Sequence, residues 1–182
     1  AGQVGRVLRP LHSVLNVPRT ADGKTDRMLP ITLFHLSFRD FIIDPDLKHE
    51  SMFWIEPNER HSALGMYCID LLESGVLREN FCGVENLGVQ RSEVARSKVD
   101  DSLPEVVAYA CSYWAQHIVE SGELLNDDDR VHRFLESHFL HWIEALSWLG
   151  KASEVVSILD ALQAVADVRC VLTSTQVQRA NI

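Results

Sequence analysis

Apolar residues in the C-terminal two thirds of the chain recur three or four positions apart, which is the spacing of amphipathic α-helices. Gly122 and Gly150 interrupt the pattern and separate its longer stripes. We therefore predict an α-helical hairpin or bundle domain over residues 47–170, followed by a loose tail over residues 171–182. The stripes comprise Leu64, Cys68, Leu71 and Leu72; Val106, Tyr109, Ala110, Tyr113, Trp114 and Ile118; Val131, Phe134, Leu135, Phe139, Trp142, Ile143 and Leu146; and Val155, Val156, Leu159, Leu162 and Val165.

Capping residues mark several of the predicted helix ends. The sequence SLPE, from Ser102 to Glu105, matches a capping box and predicts a helix start. The run Asn126–Asp129 supplies the next N-cap, and it lacks the D-x-D-x-D-G pattern of a calcium-binding loop. Between the first two stripes, Gly88–Asp101 is polar and mixed in charge, so we predict an exposed loop there.

The first 46 residues have a different pattern, in which short extended runs alternate with polar turns. We predict strands over Ser13–Val17 and Leu29–Phe34, and the polar stretch Arg19–Arg27 between them contains an Asp-Gly turn signal. A short helix precedes the strands, and another follows them over Ser37–Ile43. This order of elements is that of the second half of a winged helix. We predict a mainly α fold, with a partial winged-helix domain and short β-hairpin wing over residues 1–46.

One histidine, His35, lies where the second predicted strand passes into the short helix. Ser37 offers a hydroxyl as the N-cap of that helix, and Asp44-Pro45 ends it. Unpaired amides and the helix dipole favour negative charge at a helix N-terminus, so a histidine there is placed to meet an anion. Taken alone, the local residues favour a capped corner whose histidine bonds a backbone carbonyl.

Composition indicates an ordinary globular chain. It has 182 residues, of which 46% are hydrophobic and 24% charged, and it contains no uncharged apolar stretch of about 18 residues that could cross a membrane. No apolar signal-peptide region is visible, and the absence of an initial methionine predicts a fragment. The four cysteines form no CxxC pair, so we expect neither a zinc site nor a disulfide scaffold, and a reducing, cytoplasmic setting.

Charge argues against nucleic acid as a partner. The formal net charge is −9, and such a chain is a poor candidate for binding a polyanion. The predicted wing carries Arg19, Lys24 and Arg27, which could contact phosphate, although a solvated hairpin tip explains them more simply. A winged-helix nucleic-acid-binding protein is therefore kept as the alternative function.

The usual catalytic motifs are missing from the sequence. It contains no GxxxxGK[ST] phosphate loop, no GxGxxG and no GxSxG elbow. His138, His141 and Glu144 lie at i, i+3 and i+6 of one predicted helix and could form part of a metal site. They do not form an HExxH motif, and His138 lies on the apolar stripe, so a structural role is favoured over a metal-dependent enzyme. The residues indicate a non-catalytic, mostly helical interaction segment.

The sequence LFHLSFRDFIIDP, from Leu33 to Pro45, resembles the winged-helix signature of NACHT-type STAND NTPases, which are NLR-like receptors. In that family a strand ends in a histidine, followed by Ser-Phe and then by an acidic-Phe pair. The chain as a whole is similar to fungal NACHT proteins of the heterokaryon-incompatibility type, many of which end in WD40 repeats. Further matching blocks follow in order over most of Leu8–Val165: LHSVLNVP (Leu11–Pro18), FWIE (Phe53–Glu56), LRENFCGV (Leu77–Val84), LPEVVAYACSYWAQHI (Leu103–Ile118) and VHRFLESHFLHWIEALSWLGK (Val131–Lys151).

The resemblance implies a regulatory segment and not an enzyme. In such receptors an upstream NACHT core carries the Walker A and B motifs, and the winged helix packs against that core. A histidine of the winged helix reaches the β-phosphate of bound ADP and stabilises the resting state; His35 is the residue that matches it. The helices would link this nucleotide switch to C-terminal sensor repeats. The implied partners are therefore the NACHT core and the repeats of the same receptor.

The chain contains neither that core nor the repeats, and the first helices of the winged helix are also missing. We therefore expect it to bind no cofactor in isolation, and to take part in ADP or ATP binding only within the intact receptor. No catalytic residue and no metal-binding residue is predicted.

Overall fold

The chain divides into two compact units, and the boundary lies between Glu56 and Pro57. The computed structural model describes residues 11, 13–19, 31–48, 50–85 and 88–166. Within these ranges it contains six α-helices and one two-stranded antiparallel sheet, which confirms the predicted mainly α fold with a short β-hairpin. The predicted helix before residue 11, the tip of the wing and the C-terminal tail lie outside the described residues.

The first unit contains the predicted pair of strands, each only two residues long. Strand β1 (Leu15–Asn16) pairs antiparallel with β2 (Thr32–Leu33), so that Leu15 lies opposite Leu33. The Phe34 amide also donates to the Val14 carbonyl at 3.0 Å and extends the pairing by one hydrogen bond. Helix α1 (Leu36–Ile43) follows directly. The strands and the helix thus occur in the predicted order.

Residues 44–56, which follow α1, belong to the first unit and not to the helical domain that comes next. The Ile55 amide donates to the Ile42 carbonyl at 2.7 Å, which ties this stretch back to α1. Lys48 lies over the Trp54 ring, with its Nζ 4.9 Å from the ring centroid, and also pairs with Glu56 at 3.3 Å. The structural division therefore falls ten residues later than the sequence analysis placed the domain boundary, after residue 46.

In its described residues, the second unit has five α-helices around an aromatic core. Trp114 is fully buried and meets Phe134 and Trp142 edge to face, with ring centroids 5.1 and 5.5 Å apart. The Trp142 indole N–H donates to the Cys111 carbonyl at 2.8 Å, so this buried polar group is satisfied. The helices are α2 (Pro57–Leu71), α3 (Arg96–Ser102), α4 (Glu105–Glu120), α5 (Arg130–Leu149) and α6 (Val155–Ala164).

The predicted ends of the longest helix, α5, are confirmed. Asp129 is its N-cap, and its side chain accepts a hydrogen bond from the His132 amide at 2.9 Å. Gly150 follows the last turn with φ +76°, a left-handed conformation that glycine adopts without steric cost.

Two predictions about the segment before α4 are wrong. The segment Gly88–Asp101 is not simply a loop, because it contains most of α3, which Val99 anchors by burial. Ser102 does not cap α4; its hydroxyl donates to the Lys98 carbonyl at 2.8 Å, since it ends α3. Pro104 is the N-cap of α4, without a side-chain hydrogen bond.

We expect Trp114→Ala to lower the free energy of unfolding by about 3–5 kcal/mol, because it leaves a cavity at the centre of the aromatic core. Urea unfolding followed by circular dichroism measures the change. Leu140→Ala is the control, since this side chain is 75% exposed and its loss should cost less than about 0.5 kcal/mol. A cost below about 1 kcal/mol for Trp114→Ala would contradict its placement in the core.

Candidate functional site

His35, the residue predicted to sense nucleotide, is the N-cap of α1. Its backbone is extended (φ −144°, ψ 137°), and its Nδ1 accepts a hydrogen bond from the Ser37 amide at 3.1 Å. The Ser37 hydroxyl lies 2.7 Å from the same nitrogen. The prediction that Ser37 caps the helix is therefore wrong: Ser37 lies in the first turn, and the imidazole before the turn does the capping.

This capping fixes the tautomer of the neutral His35 ring. Because Nδ1 accepts the amide hydrogen bond, the ring proton lies on Nε2. His35 is exposed, and no described residue accepts a hydrogen bond from Nε2. The ring therefore offers a donor to an external acceptor, and its orientation is restrained by its own helix.

Several apolar residues that lie near His35 in the sequence have exposed side chains. None of the described residues of the first unit is buried. Phe34 is 62% exposed and Leu36 70% exposed, on either side of the histidine. Clustered exposed apolar residues are typical of surfaces that bind another protein or domain. The set, here called the apolar segment, comprises Ile31, Leu33, Phe34, Leu36 and Phe41.

A second group of polar side chains lies in the second unit, where α2 meets α4. His61 of α2 and His117 of α4 face each other, with their Nδ1 atoms 2.9 Å apart. The other nitrogen of His61, Nε2, lies 3.2 Å from a carboxylate oxygen of Glu120. The Tyr109 hydroxyl lies 2.8 Å from His117 Nε2, and the Gln116 amide donates to the second Glu120 oxygen at 2.7 Å. We call His61, His117 and Glu120 the histidine cluster.

Close packing of α2 against α4 brings these side chains together. A Cβ added at Gly65 would lie 2.6 Å from Ile118 Cδ1 and 3.4 Å from the Ile118 backbone nitrogen, so a larger residue there would have to displace the Ile118 side chain. His61 lies one turn before Gly65 and therefore on the same face of α2. On α4, His117 directly precedes Ile118, and Glu120 lies three residues after His117.

Burial affects the protonation of the cluster. Desolvation lowers the pKa of His117, the neighbouring His61 lowers it further, and Glu120 acts in the opposite direction. The His117 side chain is therefore neutral near pH 7, and a neutral imidazole has a lone pair available as a hydrogen-bond acceptor or metal ligand.

The three residues that the sequence suggested as a rival metal site do not converge. His138 stacks on Phe134, and Glu144 accepts a hydrogen bond from the Asn80 amide at 3.1 Å. Residues six positions apart also point about 120° away from each other around a helix. In the described parts of the chain, the histidine cluster is the group of three possible ligands whose atoms lie within 4.8 Å of one another.

Sequence reasoning missed the histidine cluster because its two histidines lie 56 residues apart. Two signals were present: a glycine inside the helical pattern of α2, and the spacing H-x-x-E at His117–Glu120. Neither signal reveals which helix faces which.

The described cysteines offer no nucleophile. Cys68, Cys82 and Cys111 are free and buried. Burial raises the pKa of Cys111 to about 12, so that its thiol stays protonated and unreactive near neutral pH.

Comparison with known proteins gives a partial similarity. Over 75 residues the chain is 37% identical to the vegetative incompatibility protein HET-E-1 of Podospora anserina; this match covers 36% of the chain and 6% of that protein. No family model matches the chain, and no solved structure gives a significant match. No described helix is both long and apolar enough to cross a membrane. The similarity supports the resemblance to the broad NACHT type, on a segment that spans a small part of the relative's length.

Gly65→Ala tests the close packing of α2 against α4. Alanine gains about 1 kcal/mol of helix propensity over glycine, whereas overlap with Ile118 costs about 1–3 kcal/mol. We therefore expect a net destabilisation of about 0–2 kcal/mol, and a favourable coupling of at least about 0.5 kcal/mol when Ile118→Val removes the clashing methyl group. Urea unfolding of the two single variants and the double variant measures both quantities.

Ile143→Val is the matched control for this cycle, because it removes the same methyl group from a residue of α5. It should combine additively with Gly65→Ala, within about 0.5 kcal/mol. Equal coupling of both valine variants to Gly65→Ala would contradict a specific contact between Gly65 and Ile118.

Proposed function

We propose that this chain is a regulatory and interaction segment of a NACHT-type, NLR-like receptor. In the intact receptor, His35 would contact the β-phosphate of ADP and hold the nucleotide switch in its resting state. The observation that carries the proposal is the geometry of His35, an exposed N-cap whose Nδ1 is engaged and whose Nε2 is left as a donor. The similarity to HET-E-1, a vegetative incompatibility protein, agrees with such a receptor.

A phosphate suits this position for two reasons. A phosphate oxygen accepts the Nε2–H hydrogen bond, and a hydrogen bond to a charged group is worth about 1.5–3 kcal/mol. The first amides of α1 and its dipole add attraction for an anion beside His35. Exchange of ADP and opening of the receptor would break this hydrogen bond, so the free energy of the bond favours the closed state over the open one.

The apolar segment supports a partner domain in the receptor. The first unit buries none of its described residues, and Phe34 and Leu36 flank the sensor histidine with most of their surface exposed. A NACHT core seated on this segment would cover apolar surface and bring the nucleotide to His35 in a single docking event.

The second unit would connect the switch to the sensor repeats. Its buried aromatic core around Trp114 makes it a well-packed element, suited to pass a change of position to whatever is attached. In this proposal nucleotide turnover belongs to the NACHT core. The chain itself is not an enzyme, it takes ADP or ATP only with that core, and it acts in the cytoplasm.

We expect His35→Ala in the full receptor to speed release of ADP about 10–100-fold, which corresponds to the loss of one hydrogen bond to a charged group. The receptor should consequently signal without its ligand. Dissociation of a fluorescent ADP analogue from the purified receptor measures the first effect, and a cell-death assay measures the second.

His35→Asn is the matched variant, because asparagine is a good N-cap but lacks the imidazole donor. A sensor role predicts fast ADP release from both variants. Unchanged ADP retention by His35→Ala, or retention restored by asparagine, would contradict that role and leave His35 with helix capping alone.

A further inference from the structure

The contact between His61 and His117 requires a bridging cation or a proton. Two imidazole lone pairs repel each other, yet the two Nδ1 atoms lie 2.9 Å apart. His61 Nε2 faces the Glu120 carboxylate, which only accepts, so the proton of neutral His61 lies on Nε2 and its Nδ1 carries a lone pair. Either His117 donates its Nδ1 proton to His61, or a metal ion takes the place of that proton.

We infer that His61, His117 and Glu120 form a binding site for a divalent transition-metal ion, with Zn²⁺ as the best fit. Two imidazole nitrogens and one carboxylate oxygen form a ligand set that zinc uses in proteins with three protein ligands and a water molecule. Imidazole nitrogen also selects zinc and its neighbours in the periodic table over the hard cations Mg²⁺ and Ca²⁺.

The two histidine nitrogens are nearly at the spacing that an ion would need. Nitrogen ligands of a tetrahedral zinc ion lie about 3.3 Å apart, given Zn–N distances of about 2.0–2.1 Å. The two Nδ1 atoms need to separate by only a few tenths of an ångström from 2.9 Å. The possible ligand atoms of all three residues lie within 4.8 Å of one another. The Glu120 carboxylate faces His61 Nε2 at 3.2 Å, so it has to rotate toward the two Nδ1 atoms to become the third ligand. The Glu120 and His61 side chains are 44% and 30% exposed, so the carboxylate can rotate and an ion can enter from solvent.

Outer residues of the histidine cluster already hold its members in place. The Tyr109 hydroxyl lies 2.8 Å from His117 Nε2, the nitrogen that would not bind the ion. The Gln116 amide donates to the second Glu120 oxygen at 2.7 Å. Such contacts to the far side of each ligand are the usual support of zinc-binding histidines and carboxylates.

Binding would move one proton within the His117 ring and join two helices. When the ion takes both Nδ1 lone pairs, the ring proton of His117 moves from Nδ1 to Nε2, where the Tyr109 hydroxyl can accept its hydrogen bond, so both imidazoles stay neutral. His61 belongs to α2, whereas His117 and Glu120 belong to α4, so the ion would crosslink helices that Gly65 already allows to pack closely. The site is independent of the function proposed for His35.

Titration of the chelator-treated 182-residue chain with Co²⁺ tests the inference, because tetrahedral Co²⁺ gives a visible absorption spectrum. We expect one ion per chain and displacement of Co²⁺ by Zn²⁺ but not by excess Mg²⁺. We also expect Zn²⁺ to raise the thermal unfolding temperature and a chelator to reverse the rise.

Two variants and one control locate the site. His61→Gln and Glu120→Gln should each weaken binding at least about 10-fold, and the partial exposure of both side chains makes the variants compatible with the fold. His138→Gln is the control and should bind like the parent chain. The inference is overturned if the folded parent chain binds no stoichiometric ion, in which case a shared proton alone links the rings. It is equally overturned if His61→Gln binds as tightly as the parent, or if His138→Gln loses binding.

Discussion

The close packing of α2 against α4 is the constraint on which the second unit depends. Gly65 favours it, because a Cβ at that position would overlap the Ile118 side chain as it lies in the structure. Ile69 and Trp114, both fully buried, lie one turn from this contact on their own helices. A single residue without a side chain thus allows the apolar faces of two helices to meet, and it places the histidine cluster at the same junction.

The two units differ in what stabilises them. The second has a continuous core in which aromatic rings meet edge to face and the buried indole of Trp142 is hydrogen-bonded. The described residues of the first unit form two short strands and one α-helix, and none of them is buried. Small folds with little buried apolar area depend on additional contacts for stability. The exposed Phe34 and Leu36 offer such contacts to a partner, as the proposed function requires.

The fold could be predicted from the sequence where the signal was long and local. The stripes of α4 and α5 each repeat over several turns, and Asp129 and Gly150 mark the ends of α5 directly. The short α3 was not predicted because Val99 is its one buried residue, and a single apolar residue cannot show the helical repeat of apolar positions. The position of His35 at a strand–helix junction was predicted correctly, but its hydrogen bond was not, since cap geometry depends on the backbone angles of a single residue.

Contacts between helices could not be predicted in this way. His61 and His117 meet because α2 and α4 pack face to face, and packing is decided by the shapes of whole helices. The sequence suggested a metal site at His138, His141 and Glu144 because these residues are close together along the chain. Their i, i+3, i+6 spacing nevertheless spreads the side chains around α5.

The capping hydrogen bond of His35 has a mechanical consequence for α1. The ring that would meet a phosphate also holds the first turn of this helix through the Ser37 amide. At the other end of α1, about 12 Å away, the Ile42 carbonyl accepts from Ile55, two residues before α2 begins. A force on the imidazole would therefore be transmitted along α1 to its last turn. That turn is hydrogen-bonded to Ile55, next to the point where the chain passes from the first unit to the second.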